Sequence, residues 1–105
     1  MGFLSNNIDP FTSALQQVDD VLEQTRPFDK KTDELLRFAL SIKARSAPCV
    51  RKHFKGATAA GASDAEIAYV FALTMREAAG ADDCWTHGII SDLDATGDDA
   101  SCGGC

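Results

Sequence analysis

Apolar residues return at helical spacing along nearly the whole chain, and no stretch alternates with the two-residue rhythm of a half-buried strand. That pattern restricts the fold to packed helices. Phe11, Leu15, Val18 and Leu22 form one stripe of an amphipathic helix that opens near Pro10. Arg26-Pro27 ends it, because proline lacks an amide hydrogen and pushes the preceding residue out of the helical region. Asp29 suits the N-cap of a second helix, which is predicted to carry Leu35, Leu36, Ala39, Leu40 and Ile42 inward. Ser46-Ala47-Pro48 interrupts the chain, and a third helix follows from about Pro48 to Ala60, with Gly61 as its left-handed stop. Ser63-Asp64-Ala65-Glu66 reads as a capping box for a fourth. The body of that helix (Ile67, Ala68, Val70, Phe71, Leu73, Met75) is apolar on most sides, as in a buried central helix or one at a subunit interface. Gly80 allows a bend before a last helix, roughly Asp82 to Leu93, which presents Trp85, Ile89, Ile90 and Leu93.

The expected architecture is all-α, a small antiparallel helical bundle over residues 10–95, preceded by an arm over 1–9. After Ala95 the composition shifts to Gly, Asp, Ser and Cys, ending in Cys102-Gly103-Gly104-Cys105, and residues 96–105 are expected to form a flexible tail. A chain of 105 residues supports one modest core, so association through helices is an economical way to bury more apolar surface. The net charge of −6 argues against nucleic acid as a partner. No run approaches the roughly 18–20 apolar residues of a membrane span. Met1-Gly2-Phe3-Leu4 lacks the basic and apolar regions of a secretory signal, so a cytoplasmic location is expected.

Four cysteines in a chain with no export signal point to redox chemistry or metal rather than a disulfide scaffold. Cys49 falls in the first turn of the third helix, where unsatisfied amides and the helix dipole favour a thiolate. Arg45, Arg51 and Lys52 add positive charge nearby, and the thiolate is the nucleophilic form. His53, four residues on, shares a helical face with Cys49 and can accept the thiol proton or return it to a leaving group. The bland reading is a small buried cysteine beside a surface histidine.

Beyond this pair, Lys31-Thr32-Asp33-Glu34-Leu35-Leu36, Ser46-Ala47-Pro48-Cys49-Val50-Arg51-Lys52-His53, Gly56-Ala57 and Gly61-Ala62-Ser63-Asp64-Ala65-Glu66-Ile67-Ala68 resemble the core of the carboxymuconolactone decarboxylase superfamily, which contains the AhpD-like alkylhydroperoxidases. Its redox signature is Glu, eleven residues, Cys-x-x-Cys, three residues, His. The spacing is kept here as Glu34, Ser46, Cys49 and His53, within a resemblance running from about Phe28 to Gly80. The resemblance implies an all-α bundle assembling as trimers or hexamers. It implies that Cys49 attacks a small hydroperoxide, with His53 and Glu34 moving its proton, and that a protein or small-molecule thiol supplies the reducing equivalents. No cofactor is expected. Glu34 lies far enough before Ser46 that direct contact with His53 would need a bent hairpin, a bridging water or another subunit. Its plainer reading is a solvated first-turn acid.

The pattern departs from the signature at Ser46, where the family's first cysteine would resolve the sulfenic acid as a disulfide. Ser46 could cap the third helix, hydrogen-bond the Cys49 thiolate, or be an engineered replacement. The resolving thiol then has to be non-standard, with Cys84, Cys102 and Cys105 as internal candidates. A competing reading is a metal- or sulfur-carrying protein that uses Cys49 with Cys84 or with the tail cysteines Cys102 and Cys105. Cys84 and His87 repeat the thiol–imidazole pairing, and Cys49, His53, Cys84 and His87 would together suit zinc or copper if their helices faced each other. A third reading, decarboxylation of a cyclic lactone acid, rests on the superfamily name.

Overall fold

The computed structural model describes residues 2–93, which form five helices and no strand: α1 (Phe3–Asn7), α2 (Asp9–Thr25), α3 (Lys30–Lys43), α4 (Ala47–Ala59) and α5 (Asp64–Leu93). The tail, with Cys102 and Cys105, lies outside the described residues. The predicted boundaries hold as far as the start of α5. Arg26 caps the end of α2, and Asp29 accepts the Thr32 amide at 2.7 Å at the start of α3. The Ser63–Glu66 capping box is reciprocal, with Ser63 N–H donating to Glu66 Oε1 at 2.9 Å and Glu66 N–H to Ser63 Oγ at 3.1 Å. Ser63→Ala is expected to lower stability by about 1 kcal/mol, read as an earlier midpoint in urea unfolding.

The site rests on the α3–α4 hairpin, and α5 returns beside α3. Lys31 at the start of α3 pairs with Glu66 at the start of α5 at 2.9 Å. The small core comprises Phe38, Ala57, Ala62 and Ile67, with Leu35, Ile42, Val50 and Val70 packed around it. Phe38 and Phe54 meet edge to face across the hairpin, centroids 6.1 Å apart.

Three expectations change. First, α3 buries Glu34, Phe38 and Ser41, while Leu36 and Leu40 are exposed. The polar members are tolerated because each is satisfied, Ser41 Oγ donating to the Arg37 carbonyl at 2.7 Å and Glu34 as described below. Second, α5 is one continuous helix, since a lone interior glycine weakens a helix without ending it. Third, the apolar body of α5 is not a buried centre within one chain. Phe71, Leu73 and Met75 are exposed, and the buried residues are Ile67, Thr74 and Gly80.

Among the described residues α2 packs on α1 and on no other helix, so its stripe of Phe11, Leu15, Val18 and Leu22 is exposed. An apolar groove of about 490 Å³ lies open between α3 and α5, lined by Leu35, Leu36, Leu40, Val70 and Leu73 among others. The radius of gyration, 18.8 Å, well exceeds the roughly 13 Å of a compact chain of this length. No described helix is long and apolar enough to cross a membrane.

Candidate active site

The turn between α3 and α4 sets the reactive end of the hairpin. It is a Schellman motif, in which Ser46 N–H donates to the Ser41 carbonyl at 3.2 Å and Arg45 N–H to the Ile42 carbonyl at 3.1 Å. The left-handed position that glycine usually fills is held by Arg45, at φ 58°. The turn after α4 has the same bonding with Gly61 there, at φ 99°. Ser46 then serves as the N-cap of α4, its Oγ accepting the Cys49 amide at 3.4 Å. Of the roles open to Ser46 in the sequence, this is the one seen. Cys49 is the third residue of the helix, and it is a free, exposed thiol.

His53 is buried one turn further along α4. Its Nδ1–H donates to Glu34 Oε2 at 2.8 Å, directly across the hairpin and without a second subunit. Lys30 Nζ lies 3.2 Å from the other carboxylate oxygen. By helix rise Glu34 and His53 stand at different heights in the hairpin, and the residue level with Glu34 is Gly56, equally far from the turn in the antiparallel pair. With no Cβ in the way, the carboxylate lies over the α4 backbone and reaches back to His53.

The electrostatics of this pair follow from its surroundings. Burial by itself raises the Glu34 pKa, but hydrogen bonds from His53 and Lys30, and then their charges, outweigh it and hold the carboxyl below its ordinary value. Glu34 is therefore an ionised acceptor at neutral pH, which fixes the proton of a neutral His53 on Nδ1 and leaves Nε2 as the basic nitrogen. A carboxyl lowered in the folded state contributes stability above its unfolded pKa, and that contribution is lost as pH falls through the folded value. The stability gap between the wild type and Glu34→Gln, measured by urea unfolding, should be full at pH 7 and shrink below about pH 4.

Cys49 and His53 line one cavity of about 210 Å³, with Arg37, Leu40, Ser41, Ala44 and Ser46. The cavity is open to solvent beside an exposed thiol, and its wall combines apolar surface with one guanidinium. Arg37 is held by Asp33, Nε to Oδ2 at 3.0 Å. The arrangement can hold a small molecule against the thiol while a carboxylate-oriented imidazole handles protons. Sequence reasoning missed Arg37, Ser41, Lys30 and Gly56. The hairpin register, counted outward from the turn, could have found Gly56.

The profile of the carboxymuconolactone decarboxylase family matches residues 10–83, well over half the chain. The chain belongs to that family. Within the carboxymuconolactone decarboxylase domain the match takes in α2 as well as the α3–α4 hairpin and most of α5. The exposed amphipathic helix α2 is thus part of the family's domain rather than an appended arm. No curated protein and no solved structure matches the chain.

The four-residue metal set does not assemble. Cys84 and His87 lie on the C-terminal part of α5, beyond Ala81, the last α5 residue lining the groove against α3. Among the described residues no three His, Cys, Asp or Glu side chains gather in a metal-holding group. Cys84 is half-buried on α5, and the cavity beside Cys49 is lined without it.

Proposed function

We propose that this member of the family is a thiol-dependent peroxidase acting on small hydroperoxides, with Cys49 as nucleophile and His53 as its acid–base partner. The observation that carries the reading is the Nδ1 contact of Glu34 with His53, whose ring lines the same cavity as a free thiol at a helix N-terminus. Nε2 of His53 accepts the thiol proton. The Cys49 sulfur attacks the distal peroxide oxygen, the O–O bond breaks, and the alkoxide leaves with the proton that His53 returns, giving an alcohol and Cys49 sulfenic acid.

Ser46 cannot take the next step. An external thiol attacks the Cys49 sulfur and displaces water to form a mixed disulfide. A second thiol then releases Cys49 and departs as part of a disulfide. In sum, one hydroperoxide and two thiols give one alcohol, one water and one disulfide, with no cofactor. A supply of reduced thiol of this kind is what the cytoplasm provides. The exposed α2 stripe and the open α3–α5 groove support a homo-oligomer as the working form.

The test is peptide-level mass spectrometry of every cysteine before and after one equivalent of an organic hydroperoxide. Cys49 is expected to oxidise first, as a sulfenic acid that dimedone traps and added thiol reverses. Cys49 remaining reduced while the other cysteines react overturns the reading.

A further inference from the structure

We infer that Gly56 is a positioning residue for the Glu34–His53 pair, an inference that rests on reading this pair as the proton relay of Cys49. Gly56 sits inside α4, where glycine is a poor helix former and no turn or positive φ calls for it. Its use lies in what faces it. A Cβ built at this position would stand 2.5 Å from Glu34 Oε2, 2.7 Å from Cδ and 3.1 Å from Oε1. The first two separations are far inside van der Waals contact, and all three atoms belong to the carboxylate that accepts from His53.

The obstructed group is the free end of a flexible side chain rather than backbone. A methyl at 56 would therefore leave the helices in place and turn the carboxylate away. The consequence falls on His53. Without Glu34 the proton on Nδ1 loses its partner, and either ring nitrogen can carry it. Lys30 follows the carboxylate rather than anchoring it, because its own side chain is more than half exposed. Gly56 thus acts through Glu34 and His53 and touches neither the thiol nor the cavity.

Gly88 provides an internal control, since it is also helical, in α5, and a Cβ there would meet nothing within 4 Å. The experiment compares the full-length wild type, G56A, G88A, E34A and E34A/G56A by ring-nitrogen NMR of His53 and by the rate of hydrogen peroxide consumption. In G56A the hydrogen-bonded Nδ1–H signal of His53 is expected to vanish and the rate to fall about tenfold or more. G88A should keep both at wild-type levels, and G56A should cost nothing further in the E34A background.

An unchanged His53 signal in G56A, or an equal loss with and without Glu34, overturns the inference. A changed signal with an unchanged rate leaves Gly56 as the positioning residue and instead defeats the relay reading. If G56A fails to fold, a folded E34A/G56A places the clash on Glu34 and supports the inference. A double variant that unfolds where E34A folds overturns it.

Discussion

Replacing Cys49 with alanine is expected to remove thiol-dependent hydroperoxide consumption altogether, while the chain keeps its helical content and stability. The side chain is exposed, and alanine is the better helix former, so no packing is lost. The effect is large because the bond to oxygen forms on that sulfur, and among the described residues no other thiol lies on the cavity. His53→Gln is the graded companion. It retains a polar side chain of similar reach but cannot exchange the proton, and a loss of about a hundredfold at neutral pH is expected. Both are read as NADPH-coupled or direct thiol consumption with an organic hydroperoxide. Turnover of the alanine variant at the wild-type rate would end the case for Cys49.

The second large effect is a change in the kind of cycle. In Ser46→Cys the new thiol sits where the Ser46 oxygen now receives the Cys49 amide, at the neighbouring position on the first turn. After one equivalent of hydroperoxide, the wild type should hold a sulfenic acid. The variant should instead hold a disulfide between the introduced thiol and Cys49, and resist dimedone. Its turnover should no longer depend on two separate thiol encounters, and a dithiol reductant should outperform a monothiol. Sulfur is a weaker acceptor than oxygen, so the cap weakens, and about 1 kcal/mol of stability should be lost with it. Intact mass and peptide mapping distinguish the two oxidised forms, and dimedone labelling as strong as in the wild type would count against the proposed geometry.

Much of this was legible in the chain because helix ends announce themselves chemically. Asp29, Ser46, Gly61 and the Ser63–Glu66 pair each mark a boundary by the amide or carbonyl they satisfy, and all four lie where the sequence places them. The thiol and imidazole on one face of α4 follow from spacing alone. What polarity could not reveal is the buried face of α3. Glu34 and Ser41 look like surface residues until their partners are known, and those partners come from α4 and from the preceding turn. The Glu34–His53 contact was hidden for a related reason. Rise per residue locates backbones, whereas this contact depends on a missing side chain on the opposite helix. The continuity of α5 through Gly80 shows the limit of reading a glycine as punctuation.

The exposed apolar stripe of α2 has one more consequence. If other copies of the chain cover it, part of the free energy that holds the domain together is an intermolecular quantity. Dilution would then loosen the protein as heat or denaturant does, and a melting temperature would have meaning only at a stated protein concentration.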